Sequence, residues 1–337
     1  MTDKEELKRR LAEASSKVLI LNDLHLRDKP PRNCSDEYLE DIFNILKFTA
    51  KLETALGLDA VIWAGDIFDH KMPSRNSHRL VLRAIEIVKM HKRLLILPGN
   101  HDISNDRLES IEEQQPLGVL YEAGAERLEG WADGLPVLGI PWQQRWEEEG
   151  VLEEALFEWR EAKSSPGADL DKSLVVTHAS IFPPGQAPGV YESLDPADIA
   201  AAMGNQGYLA YGHIHDNHGI YEVDGVTFSN LGAISRGSLT ESNQERPVQA
   251  ALWTPEHGFL AIDLPHLPSS EIFLLEQAFA AKDKTISDER FLAEIGSTRL
   301  EISSVAGVVS HINSLDEEKV PGAVKKKAIE LLELQDA

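Results

Sequence analysis

Leu94-Leu95-Ile96-Leu97-Pro98-Gly99-Asn100-His101-Asp102, LLILPGNHD in one-letter code, is the stretch on which the reading of this chain turns. Its apolar half is short enough for a buried strand. Its second half places Gly, Asn, His and Asp where that strand leaves the core. Polar side chains there are costly unless something outside the sheet binds them.

The pattern recurs along the chain. Val18-Leu19-Ile20-Leu21 runs into Asn22-Asp23-Leu24-His25, and Val61-Ile62-Trp63 runs into Gly65-Asp66. Leu174-Val175-Val176 runs into Thr177-His178, and Tyr208-Leu209-Ala210-Tyr211 runs into Gly212-His213-Ile214-His215. Between the first three strands lie stretches with helical periodicity. One carries Leu39, Ile42, Phe43 and Leu46 from a cap at Ser35 to Gly57, and the other carries Val81, Ala84, Ile85 and Val88. Strands alternating with helices predict a parallel sheet, and in such sheets ligands gather beyond the carboxyl ends of the strands.

Residues 219–263 change character. An Asp-Gly turn inside YEVDGVTFSN and the pair VQAALWT and FLAIDL around PEHG predict two hairpins. A chain that begins parallel and finishes antiparallel predicts two sheets packed face to face between helices. The section 103–172 is less legible. It offers a strand at Val137-Leu138 and a Trp-rich acidic helix from about Arg145 to Lys163. PHLPSS (265–270) reads as a linker. The domains expected are therefore 1–264 and a small α+β module at 265–337, in which helix-like EIFLLEQAFAAK and DERFLAEI precede TRLEISS and a last helix, GAVKKKAIELLELQ.

With 337 residues, 42% of them hydrophobic, the chain is long enough for this arrangement. No apolar run approaches a membrane span and the first residues carry no apolar leader, so no membrane association and a cytoplasmic location are expected. The single cysteine, Cys34, excludes an intrachain disulfide and any multi-cysteine zinc site. A net charge of −23 opposes unassisted binding to nucleic acid.

Each strand-end fragment is weak alone, since a lone His after a strand is more often a hydrogen-bonded structural residue than a ligand. Together they put carboxylate, imidazole and amide-carbonyl groups on one rim, a donor set suited to manganese, iron or zinc rather than soft copper. Two metals need a bridging anion, and Asp66 is the carboxylate best placed to supply it. His101, beside Asn100, is the natural proton donor to a departing oxygen.

The series D-x-H, G-D, G-N-H-D, H and G-H-x-H, in that order over residues 17–263, resembles the calcineurin-like metallophosphoesterases. That resemblance implies a four-layer sandwich of two mixed β-sheets flanked by helices. It implies Asp23, His25, Asp66 and His215 around one metal, and Asp66, Asn100, His178 and His213 around a second. His101 would face the phosphate as general acid, with Asp102 orienting it. The finer motifs D-L-H-L (23–26), A-G-D-I-F-D (64–69) followed by Pro73-Ser74, and N-L-G-A-I-S-R-G (230–237) are similar to the SbcD-type nuclease subunit of DNA repair. Arg27 stands where SbcD-type chains usually have Gly, and Asp69 where some relatives have His.

This likeness implies a manganese-dependent exonuclease and endonuclease, with iron, zinc or magnesium as alternative metals. It also implies DNA and an SMC-like coiled-coil ATPase of the SbcC type as partners, with a homodimer left open. The expected substrate contacts are Arg27, Lys71 and Arg75, which with Lys29, Arg32, His70, His78 and Arg79 make the rim more basic than the body. The alternative reading is a stand-alone phosphodiesterase or phosphatase on nucleotides or other small esters. His91, His257, His266 and His311 are read as structural or solvated, and His218 as a loop residue near the site.

Overall fold

A computed structural model describes residues 4–104, 107–143, 150–161, 170–187, 193–274, 312, 322 and 325–327. Apart from 271–274 and those last few positions, the expected C-terminal elements lie outside the described residues.

The strands form two six-stranded sheets, and both are mixed. In the first, β1 (Val18–Leu21), β2 (Ala60–Ala64), β3 (Leu94–Leu97) and β4 (Glu126–Arg127) run parallel. The antiparallel hairpin of β11 (Gln249–Thr254) and β12 (Gly258–Asp263) joins this sheet beside β1. In the second, β6 (Val137–Ile140), β7 (Leu174–His178), β8 (Tyr208–Gly212) and β10 (Val226–Leu231) are parallel. Antiparallel β5 (Gly130–Trp131) and β9 (Asn217–Val223) close its two edges.

Alternation decides which residues meet between the sheets, because successive strand side chains point to opposite faces. Val18, Ile20, Ile62, Leu95 and Leu97 of the first sheet pack on Val137, Leu174, Val176 and Ala210 of the second. The opposite face of the second sheet, with Leu138, Val175, Leu209 and Tyr211, packs on helices α6 (Val151–Glu161) and α7 (Pro196–Ala202) through Leu152, Leu156, Ile199 and Ala200. On the first sheet the outer layer includes α2 (Glu37–Leu56) and α3 (His78–Val88). The four-layer sandwich expected from the strand and helix series is the fold observed.

Several boundaries differ from the sequence reading. Helix α2 starts at Glu37, and Ser35 Oγ accepts from the Glu37 amide rather than serving as the residue next to the helix. Helix α6 covers Val151–Glu161, while 145–149 and 162–163 of the expected 145–163 helix lie outside the described residues. β4 and β5 escape sequence reading because two residues carry no periodicity. A compact unit extends from the N-terminal region to Leu274, the rest of the chain forming a second unit. In the first unit the segment after Leu264 is tied down, since Leu267 N–H donates to Asp41 (2.8 Å) and Arg236 donates to the Leu267 carbonyl (2.6 Å). Among the described residues no helix is long and apolar enough to cross a membrane.

Candidate metal centre

The loops after β1, β2, β3, β7 and β8 converge at the carboxyl ends of the central strands, which the face-to-face packing of the two sheets brings together. Asp23, Asp66 and His178 are almost completely buried there, whereas the His215 side chain remains 47% exposed and opens the site to solvent. Six described non-glycine residues have positive φ, and four of them are Asp23 (51°), His25 (43°), Asp66 (49°) and His213 (87°). Backbone held in the left-handed region costs about 1–3 kcal/mol per residue and persists only where the surroundings enforce it.

The surroundings that do so are visible. His25 and Leu26 amides donate to the Asp66 and Ile67 carbonyls, both at 2.9 Å, fastening the first loop to the second. Ser235 donates to the Asp23 carbonyl through its Oγ (3.0 Å) and its amide (3.3 Å), and Ile234 N–H reaches the Asn22 carbonyl (2.8 Å). This is the part played by the N-L-G-A-I-S-R-G turn, whose sequence was recognisable but whose contact with the first loop was not. Gly65 and Gly99 allow the closest approach: a Cβ on the first would run into the His178 ring and one on the second into Asp66.

Three groups of side chains could each hold a metal ion: Asp23, His25 and His215; His25, Asp66 and His101; and Asp66, His178 and His213. Asp66 belongs to two of them. Its Oδ2 lies 3.5 Å from His25 Nε2 and its Oδ1 lies 3.4 Å from His178 Nε2. Asn100 Oδ1 is 3.0 Å from His178 Nε2 and 2.9 Å from His213 Nδ1. Thus the structure gathers all seven expected ligand residues.

The donor chemistry fits a cation. His178 Nδ1 faces the Ala64 carbonyl at 3.1 Å, so that nitrogen carries hydrogen and Nε2 is the one aimed at Asn100 and Asp66. His25 Nε2 and His215 Nε2 face each other at 3.0 Å, two nitrogens whose lone pairs repel unless a proton or a metal lies between them. Burial pushes the His178 imidazolium down, but Asp66 and Asp23 outweigh it and raise its pKa to about 9. Burial pushes the Asp66 carboxyl up, yet His178, His25 and His101 hold it well below the ordinary carboxylate range. Asp23 is raised by burial, with His178 and His215 pulling against it. His25 is lowered to about 3 and His213 to about 4, in each case first by burial.

Around the expected acid the geometry departs from expectation. The Asp102 carboxylate does not reach the His101 ring. It accepts from the backbone amides of Gly99 (3.0 Å), Ile67 (3.1 Å) and Phe68 (3.4 Å), pinning the GNHD turn to the Asp66 turn. Burial and the neighbouring Asp66 raise Asp102 to about 7. What orients the ring is the Asp69 carbonyl, 2.7 Å from His101 Nδ1, which leaves Nε2 for the site. Sequence reasoning missed this role because any residue supplies a carbonyl.

The three expected substrate cations also separate. Lys71 Nζ donates to the Ile103 carbonyl at 2.9 Å. Arg27 pairs with Asp69 at 3.2 Å and donates to the Lys29 carbonyl. The Arg75 guanidinium alone among the three has no partner among the described residues. His218 is turned away, its Nδ1 2.8 Å from Tyr211 Oη.

The sequence pattern of the calcineurin-like phosphoesterases matches residues 16–217, well over half of the chain. The chain belongs to that family. This phosphoesterase, a metal-dependent hydrolase by family, is 26% identical over 233 residues to the DNA double-strand break repair protein Mre11 of Archaeoglobus fulgidus, a match covering 61% of this chain and 47% of that protein. It is 25% identical over 228 residues to the protein of the same name from Saccharolobus solfataricus, covering 64% and 54% respectively. The chain spans about half the length of these relatives. Among solved structures, the protein TT1561 of Thermus thermophilus aligns with a TM-score of 0.46 at 16% identity, over 74% of this chain and 98% of that one.

Proposed function

We propose that this phosphoesterase is a two-metal phosphodiesterase acting on DNA, an SbcD-type nuclease of recombination or repair. The observation that supports it most is the Asp66 carboxylate, whose two oxygens face two separate histidine groups at 3.5 and 3.4 Å. In this reading Asp23, His25 and His215 hold one divalent ion, Asn100, His178 and His213 hold the other, and Asp66 serves both. Such ions polarise phosphoryl oxygens and make water acidic enough to attack at neutral pH. Manganese is our first choice, ahead of iron, zinc and magnesium.

The chain's own residues do the rest. The His101 amide donates to Asp66 Oδ1 at 2.8 Å and holds that carboxylate in place. The His101 ring, fixed by the Asp69 carbonyl, presents Nε2 to protonate the departing ester oxygen, a contribution of roughly 10²–10⁴-fold. Asp102 keeps the turn rigid. We assign the catalytic function to residues 1–264 and a capping or partner-binding role to 265–337, with DNA, an SMC-like ATPase and a second copy of the chain as partners in the cytoplasm.

One observation favours the alternative of a small phosphate ester as substrate: the net charge is −23, and two of the three expected rim cations are engaged internally. The test is manganese-dependent hydrolysis of single-stranded DNA, double-stranded DNA and bis-p-nitrophenyl phosphate, with Asp66→Asn as the blank. DNA cleavage that the substitution abolishes establishes the nuclease. Cleavage of the small ester with both DNAs left intact selects the alternative.

A further inference from the structure

Adjoining the metal centre, and sharing Asn100 and His101 with it, lies a cavity of about 340 Å³, within the usual range for ligand pockets. Its wall is formed by Asn100 and His101 from the loop after β3 and by Asp69, His70, Lys71, Met72 and Arg75 from the loop after β2. The second wall is well anchored. Asn76 Nδ2 donates to the carbonyls of His70 (2.6 Å) and Met72 (3.0 Å), and Pro73–Arg75 forms a 3-10 turn. The cavity is therefore built into the loop after β2.

Its position follows from the proton path. The acid must stand beside the oxygen that departs, and His101 lies close to His25 and Asp66 and also lines this wall. A leaving group that takes its proton from His101 would then extend into the cavity that His101 lines.

Its chemistry follows from which charges are already matched. Asp69 would repel an anion, but the Arg27 guanidinium pairs with its Oδ2 (3.2 Å), and His70 lies 3.3 Å from the same oxygen. The Lys71 ammonium is held by the Ile103 carbonyl. Arg75 keeps an exposed guanidinium with no partner among the described residues, and Met72, 58% exposed, offers an apolar surface next to it. A guanidinium beside an apolar patch matches a nucleoside that carries a further phosphate.

We propose that this cavity is the leaving-group subsite and that Arg75 contacts the next phosphate of the departing strand, so that leaving groups bearing a phosphate are preferred. The inference rests on the phosphodiesterase reading. In the step concerned an oxygen from water bonds to phosphorus and the ester P–O bond breaks with its electron pair on the leaving oxygen. That oxygen takes the proton from His101 Nε2, and the proton lost by water goes to solvent.

The experiment compares the dinucleotide TpT with pTpT and TpTp, and with bis-p-nitrophenyl phosphate, at saturating manganese. One of the two extended dinucleotides is expected to show kcat/KM about tenfold above TpT, the gain of one charge-assisted phosphate contact. Arg75→Ala is expected to remove that preference, while Lys89→Ala, which deletes an exposed positive charge elsewhere, keeps it. Without turnover, calorimetry should show thymidine 3′,5′-bisphosphate binding more tightly than a thymidine monophosphate, and Arg75→Ala should erase the difference. Equal rates on all three dinucleotides, a preference that survives Arg75→Ala, or cleavage of the small ester alone overturns the subsite while leaving the phosphodiesterase standing. No cleavage of any diester by the unmodified protein overturns both.

Discussion

Strand β3 has a buried carboxylate and histidine assembly at each of its two ends, and the two are finished differently. At the amino end, Glu53 accepts from His91 Nδ1 (2.9 Å) and from the amides of Lys92 (3.1 Å) and Arg93 (3.0 Å), and both side chains of the pair are fully buried. At the carboxyl end, Asp23, Asp66, His25, His178, His213 and His215 face one another, nitrogen against nitrogen and carboxylate against imidazole, with strained backbone and an open side at His215. The first carboxylate is matched by backbone donors that folding itself supplies. The second assembly sets His25 Nε2 against His215 Nε2 and turns imidazole nitrogens and carboxylate oxygens toward one another, an arrangement that a cation can use.

The largest expected difference between the two ends comes from Asp66→Asn. Turnover should fall to background and both metals should be lost together, measured by elemental analysis of the dialysed protein, while the fold remains by circular dichroism; loss of one metal alone would place the shared ligand elsewhere. Next, His101→Gln should keep the metals and lose roughly 10²–10⁴-fold in kcat on a poor leaving group. An unchanged rate would remove His101 from the proton path.

The amino-terminal pair should behave in the opposite way. Glu53→Ala leaves two amides and an imidazole without their acceptor in a buried place, and a broken buried pair costs about 3–5 kcal/mol in denaturant unfolding. Metal content per folded molecule should stay as it was. Manganese at a hundred times its dissociation constant should add about 2.7 kcal/mol to unfolding stability per independent site, a gain that Asp66→Asn abolishes and chelator reverses.

The smallest effect is in the pH dependence. Burial raises Glu53, but its bonds to His91, Arg93 and Lys92 outweigh this and depress its pKa below the ordinary 4.5. A depressed carboxylate stabilises the fold at pH values above its unfolded pKa, and that contribution disappears as pH falls through the folded value. Unfolding free energy should therefore decline as pH drops below about 4.5, and Glu53→Gln should flatten that part of the curve. An identical curve in the variant would mean that the pair is not linked to acid unfolding.

Sequence alone determined the strands that lead to the site, their order along the chain and the residue types at their ends, but not the two-residue β4 and β5. The apolar runs of β1, β2, β3, β7 and β8 each lead into a metal-ligand type, as at Leu97 before Asn100 and Tyr211 before His213. Tertiary structure decided the rest. That Asp66 faces two histidine groups, that Asp102 holds amides rather than the His101 ring, that the Asp69 carbonyl sets that ring, and that Lys71 is engaged while Arg75 has no partner among the described residues are facts about distance between loops far apart in the chain. Apolar periodicity reports only which face of an element is buried. Hydrogen-bond partners are chosen by the packing of the two sheets, which brings five loop ends within a few ångströms of one another.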